Sequence, residues 1–351
     1  MTFTRSTQEL HRTGTHDPPS RPDTGCELEN SPKGEEMKRF RTSMIAAGIG
    51  LAALASVGAA IAGGHAIRGK VTADGSSTVA PFAQAAAESF GRKYRGAQVT
   101  VGVSGTGGGF ERFCKGETDL SNASRPIKLS EAHICHQAGI GYIQFLVAND
   151  GIALVVNKSN TWAKCLSTQE LKKIWDRGSK VDSWRDVRAG FPNQPLKLFG
   201  PGTDSGTFEF FTEKINGRAR QSRSDYNASE DDNVLVRGVA GERGGLGYFG
   251  LSYYLENASR LNLVAVNSGA GCVKPSVATV QSRRYKPLSR GLFVYAKKKA
   301  FKRDVVAAFV RHMILNERPT SRTAHMVSLT KSQLAKAKRQ YNTAIQNRRK
   351  Y

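Results

Sequence analysis

The sequence predicts an α/β fold in two lobes. Strand and helix signals alternate along most of the chain, and the stretch from about 67 to 351 is long for a single core. Three turns rich in Ser, Thr and Gly, each set between a strand signal and a helix signal, complete the picture: Asp74-Gly75-Ser76-Ser77-Thr78, Ser104-Gly105-Thr106-Gly107-Gly108-Gly109 and Gly202-Thr203-Asp204-Ser205-Gly206-Thr207.

Strands are expected at Val71-Thr72, Gln98–Val103, Leu120-Ser121, Tyr142–Val147, Ile152–Asn157, Leu196–Phe199, Leu246–Phe249, Asn262–Val266 and Leu292–Ala296, where apolar and β-branched residues cluster between turn formers. Helices are expected between them, at Val79–Tyr94, Gly108–Lys115, Ser130–Ala138, Thr168–Trp175, Gly206–Ile215, Asn233–Ala240, Ser252–Asn257 and Ser276–Gln281. Lys180–Pro195, with Trp184, Gly190, Pro192 and Pro195, reads as a loop. Lys302–Asn316 and Ser332–Gln346 are helix-compatible, and Leu334, Ala337, Lys338, Tyr341 and Ile345 share one face of the second, a face expected to pack on the body.

Residues 37–66 have the pattern of a secretory signal peptide: Met37-Lys38-Arg39-Phe40-Arg41 and then the apolar run Met44–Ala62, with cleavage expected after Ala62 or Ala66. The alternative is an uncleaved membrane anchor. Residues 1–36 are polar and unpatterned, a disordered extension or a misassigned start with Met37 as initiator. No cysteine follows the apolar run, so the protein is expected to be exported and soluble, periplasmic or extracellular, and not a lipoprotein. Apart from Cys26, the cysteines are Cys114, Cys135, Cys165 and Cys272, an even set that fits two disulfides in an oxidising compartment and allows three pairings. A metal reading of His133-Ile134-Cys135-His136 matches no standard ligand spacing.

The formal charge is +23, and its surplus is C-terminal: between Arg283 and Tyr351, 19 lysines and arginines face only Asp304 and Glu317. A solvated basic surface is the simplest reading. Beyond it, an anionic membrane or wall polymer outranks nucleic acid as a partner for an exported chain.

The three turns share one chemistry. Each offers hydroxyls and free backbone N–H groups at a helix start, where the helix dipole also favours an anion. Burying a multiply charged oxyanion requires many directed donors to replace water. Gly107, Gly108 and Gly206 allow close backbone approach, while Ser77, Thr78, Thr106, Ser205 and Thr207 add hydroxyls. Any one turn could be an ordinary N-cap. The segment Asp119–Pro126 adds a fourth element, Ser124 and Arg125, whose guanidinium fork suits a tetrahedral oxyanion.

As an ordered set, Gly75-Ser76-Ser77-Thr78, Ser104-Gly105-Thr106-Gly107-Gly108, Ala123-Ser124-Arg125 and Asp204-Ser205-Gly206-Thr207 resemble the periplasmic phosphate-binding proteins of Pst-type ABC transporters. Ser229-Glu230-Asp231-Asp232-Asn233, Gly244-Gly245-Leu246-Gly247-Tyr248 and Pro287-Leu288-Ser289-Arg290 extend the resemblance from Ile67 to about Ile345. It implies a type II solute-binding fold with two crossing strands as a hinge, lobe one at about 67–150 plus 286–351 and lobe two at about 151–285. The crossings would be Phe145–Val156 and Pro287–Val294. It implies phosphate ligands at Ser77, Thr78, Thr106, Gly107, Ser205, Gly206 and Thr207, to which Gly108, Ser124, Arg125 and Asp204 are added from the turns themselves. Given those lobes, Cys114–Cys135 and Cys165–Cys272 are the favoured pairs, since each would stay within one lobe.

One departure stands out. The best-known branch has an aspartate where this chain has Arg125 and an arginine where it has Pro201. That aspartate accepts the proton of hydrogen phosphate, which sulfate lacks, and Asp204 is the nearby carboxylate left to take the role or else to cap its helix. The implied function is a monomeric receptor that captures inorganic phosphate and presents it to membrane permease subunits, with no cofactor. A secreted anion- or wall-polymer-binding protein is the alternative. A phosphomonoester hydrolase is the weaker one, since no nucleophile elbow, P-loop lysine or His-Glu-x-x-His motif is present.

Overall fold

The computed structural model describes residues 67–351; the expected leader and the segment before it lie outside the described residues. Eleven strands in one hydrogen-bonded network run β1 Arg68–Gly75, β2 Gly96–Val101, β3 Leu120–Ala123, β4 Tyr142–Asn157, β5 Cys165–Ser167, β6 Lys197–Gly200, β7 Asn227–Ala228, β8 Gly245–Gly250, β9 Leu261–Asn267, β10 Cys272–Val273 and β11 Ser289–Lys297. The order is β2-β1-β3-β11-β4-β8-β6-β7, with β9 also on β4 and carrying β5 and β10. Helices connect the parallel strands, as in any α/β unit.

β4 organises the molecule. Its first half pairs antiparallel with β11, Tyr142 opposite Lys297 through Gly151 opposite Ser289, and its second half pairs with β8 and β9. The expected two strands are therefore one. Asn149-Asp150-Gly151 reads as a break in the sequence, yet the segment stays in register with β11 while the Asn149 backbone exchanges hydrogen bonds with Val327 (2.8 and 3.0 Å), and side-chain partners satisfy its polar groups: Asn149 Nδ2 donates to Ser328 O (3.3 Å), and Asp150 meets Arg290. At this point the strand leaves one core for another.

The first core holds Phe82, Phe90, Phe145, Val294, Phe309 and Met313 beneath the helices Ala80–Lys93, Asp304–Leu315 and Lys331–Asn347. As expected, Ala337 is buried in it, with Leu334, Tyr341 and Ile345 packed against it. A satellite cluster of Phe110, Phe113 and Tyr295 lies under the helices Gly105–Cys114 and Leu129–Gln137. The second core centres on Trp175, Trp184, Phe211 and Tyr248, with Phe211 stacked on Tyr248 at 3.8 Å. Val327 joins this second core although its neighbours in sequence build the first, and its backbone bridges to Asn149.

The stretch Lys180–Pro195 is more ordered than a loop. It contains a helical turn, Trp184–Val187, and Trp184 is fully buried with its indole N–H donating to Gly244 O (3.0 Å). Trp184, read as a loop residue, is an aromatic anchor in the second core. A helix at Glu317–Thr323, a π-helical turn at Thr212–Asn216 and the short strands β5, β7 and β10 also exceed the expectation. Among the described residues no helix is long and apolar enough to cross a membrane.

The disulfides are Cys114–Cys135 and Cys165–Cys272, closing separations of 21 and 107 residues. The first ties together the helices Gly105–Cys114 and Leu129–Gln137; the second ties β5 to β10 across β9. By loop-closure entropy they stabilise by about 3 and about 4.7 kcal/mol respectively. Calorimetric melting is therefore expected to drop under reductant, with the Cys165→Ser/Cys272→Ser variant losing more than Cys114→Ser/Cys135→Ser.

Candidate functional site

The first turn is locked in place by its own strand end. Asp74, 1% exposed at the end of β1, accepts from the Gly75 N–H (2.6 Å), from Ser104 Oγ (3.0 Å) and from the Arg112 guanidinium, so one carboxylate joins the first turn to the second. Ser76 N donates to Asn122 O (2.9 Å), which adds the end of β3. Glycine is required where these pieces meet. Gly75 has φ +137°, and a Cβ on Gly109 would come within 2.5 Å of the Gly75 Cα.

In the second turn Thr106 is 9% exposed and its hydroxyl is shared with Ser124, 3.1 Å to Ser124 Oγ and accepting the Ser124 N–H at 3.2 Å. In the third, Ser205 caps the helix Gly206–Phe211, its Oγ accepting from the Thr207 N–H (3.1 Å). Asp204 is exposed and does not cap; its backbone N–H donates to Glu230 Oε1 (3.2 Å).

Ser77, Thr78, Asp204, Ser205, Gly206 and Thr207 line one cavity of about 230 Å³. The first and third turns thus meet, from opposite sides of the crossing strands. Thr106, Gly107, Gly108, Ser124 and Arg125 are not among its lining residues. Arg125 is occupied elsewhere: its guanidinium makes a bidentate pair with Glu131 (2.7 and 2.8 Å) and lies over the Phe110 ring. That pairing is the physical reason the expected arginine is not in the cavity.

Arg290, on β11, is not among the lining residues either, but it bonds three that are. Its side chain is 9% exposed, Nε donates to Asp150 Oδ2 (2.9 Å), and Nη2 donates both to Thr78 Oγ1 (2.8 Å) and to Gly206 O (3.1 Å). The guanidinium also lies 3.9 Å from the Phe210 ring centroid, a cation–π contact in a desolvated setting. Burial pulls the Arg290 pKa down while Asp150 holds it up, and arginine stays charged across the physiological range. One fixed positive charge therefore touches the first and third turns at once. In the sequence Arg290 stands within Pro287-Leu288-Ser289-Arg290, a segment with no turn signal that ties it to the three turns.

The rest of the wall is acidic and aromatic. Asp150, Glu230 and Asp232 line the cavity with Asp204, alongside Tyr253 and His325, whose rings stack at 4.3 Å. Burial pushes Asp232 up to about 7, against a backbone hydrogen bond from Gly250 and with Asp231, Asp150 and Glu230 adding to the rise. The cavity wall therefore carries four carboxylates, Asp150, Asp204, Glu230 and Asp232, while Arg290 sits behind it, bonded to the lining residues Asp150, Thr78 and Gly206. Among the described residues no group of His, Cys, Asp and Glu has a metal-binding arrangement.

A PBP superfamily domain model matches residues 60–317. Protein SphX of Synechococcus elongatus is 48% identical over 282 residues, which cover 80% of this chain and 83% of that protein. The phosphate-binding protein PstS of Staphylococcus saprophyticus is 36% identical over 294 residues, 83% of this chain and 90% of its own. The crystal structure of a possible phosphate binding protein from Planctomyces limnophilus superposes with a TM-score of 0.76 at 45% identity, covering 80% of this chain and 99% of that one. By sequence and by its two-lobed type II architecture, this chain belongs to the PBP superfamily, in the family of protein SphX and the phosphate-binding protein PstS.

Proposed function

We propose that the protein is an extracytoplasmic receptor that captures inorganic phosphate between its lobes and delivers it to the permease subunits of an ABC transporter. The observation that carries this reading is Arg290, a buried guanidinium bonded at once to Thr78 of the first turn and Gly206 of the third. A phosphate in the adjoining cavity would take the hydroxyls of Ser77, Thr78 and Ser205 and the backbone N–H groups of Gly206 and Thr207, with Arg290 as counter-charge. Thr106, Gly107, Gly108 and Ser124 would support the second turn, and Arg125 would act through Glu131.

Capture would proceed by hinge bending where β4 and β11 cross, at Asn149–Gly151 and Ser289–Gly291. A ligand that touches donors from both sides favours the closed state by that difference in contact. The reading is of a receptor and not an enzyme, and purified protein is expected to release no phosphate from a phosphomonoester.

The acidic wall would set selectivity. Hydrogen phosphate can donate its proton to Asp204 or to a neighbouring carboxylate, whereas sulfate has none to give and meets only repulsion. Calorimetric titration is expected to give at least tenfold tighter binding of phosphate than of sulfate; equal affinities would remove the carboxylates from the selectivity account.

Arg290→Lys keeps the charge but loses the fork that spans Thr78, Gly206 and Asp150. It is expected to weaken phosphate binding at least tenfold with the fold intact by circular dichroism, and Arg125→Ala is expected to cost less. The reverse order would return the central role to Arg125.

Asp232 supplies a pH test. Its folded value of about 7 lies above the ordinary 3.8, so the folded state holds the proton more tightly than the unfolded chain. Its effect on stability is absent below about pH 4, becomes more unfavourable as pH rises to about 7, and is constant above that. The melting temperature of Asp232→Asn minus that of the parent protein should therefore grow across this window, and anion affinity in the variant should fall less on passing pH 7.

A further inference from the structure

The C-terminal surplus of positive charge is not a uniform coat. Arg290, Arg303 and Arg348 each have a carboxylate partner: Asp150, Asp119 and Asp304. Lys298, Lys336, Arg339 and Lys350 have none among the described residues, and all four line a single cavity of about 800 Å³ between the start of β4, the end of β11 and the helix Lys331–Asn347. No Asp or Glu side chain lines it. Lys336 and Asn347 lie on the same face of that helix, so the cavity follows the helix for about 16 Å at 1.5 Å per residue. Lys298 projects from the strand side, 5.7 Å from the ring centroid of Tyr351, which also lines the space.

We infer that this groove is a second anion site, separate from the cleft, and that it takes a chain of three or more linked phosphates, free or attached to an organic carrier. Four cations without carboxylate partners, spread from the strand side along the helix around a volume several times that of one phosphate, suit the successive phosphates of an extended ligand better than a single oxyanion. The helix supplies Thr343 and Asn347 along the same line as hydrogen-bonding groups. A concave site with its cations on two sides of the space suits a chain laid into it better than a flat bilayer, which would meet only the exposed rim. In the groove, bound ligand and protein exchange no covalent bonds.

The test is calorimetry on the mature protein with the cleft kept saturated by orthophosphate. Tripolyphosphate is expected to bind under these conditions, with an affinity that falls steeply as salt rises. Lys336→Glu/Arg339→Glu, two changes on an exposed helix face, should weaken that binding at least tenfold while orthophosphate affinity stays within twofold and the melting temperature shows an intact fold. A nucleoside triphosphate run in parallel separates the two sources: binding equal to tripolyphosphate assigns an organic carrier, and binding of tripolyphosphate alone assigns the inorganic chain. The inference is overturned if tripolyphosphate binds only in competition with orthophosphate, if the charge reversal leaves its affinity unchanged, or if vesicles of anionic phospholipid bind through these residues while tripolyphosphate does not. Since orthophosphate binding is measured separately, failure here leaves the cleft reading untouched.

Discussion

The Asp150–Arg290 pair is the constraint on which the rest of the site depends. The two residues lie directly opposite each other in the β4–β11 register, at the point where the chain passes between its two cores. Both are nearly buried, so neither can be left alone: truncating one partner of such a pair strands an uncompensated charge at a cost of about 3–5 kcal/mol. The pair is also not self-contained. Arg290 has donors left over after Asp150, and they reach the first and third turns. One guanidinium thus serves the ion pair on the crossing strands and the hydrogen bonds that join the two turns.

That double role accounts for the surroundings. Asp74 holds the first two turns together from below, so the donors of Ser77 and Thr78 are fixed relative to β1. The third turn rests on its own capped helix and on Glu230, which receives the Asp204 N–H. The cavity is therefore assembled from two preorganised pieces, with Arg290 bonded to both and four carboxylates on its wall. Preorganised donors in a partly dry site are worth more than the same groups in water.

Much of the scaffold was legible because its signals are local. The helix Thr168–Trp175 begins where Ser167 and Glu170 form a capping box, a spacing visible in the sequence, and the three turns were found by composition alone. The cysteine pairs followed once the lobes were assigned. What stayed hidden depends on distance along the chain. Arg290 reaches Thr78 across 212 residues and Gly206 across 84, separations that no motif spacing encodes. Arg125 sat in a more suggestive segment, but Glu131, six residues on in the first turn of the helix Leu129–Gln137, takes its guanidinium. Asn149-Asp150-Gly151 was unreadable as strand because its polar groups are satisfied only by residues of β11 and the C-terminal segment.

The aromatic stack behind the third turn has an optical consequence. Phe211, in the last turn of the helix that Ser205 caps, lies against Tyr248, and both rings pack edge-on to Trp175. Any rotation of that helix is transmitted within a few ångströms to a fully sequestered indole. Trp175 is thus the indole, of three in the chain, whose emission would register a movement of that helix without an added dye.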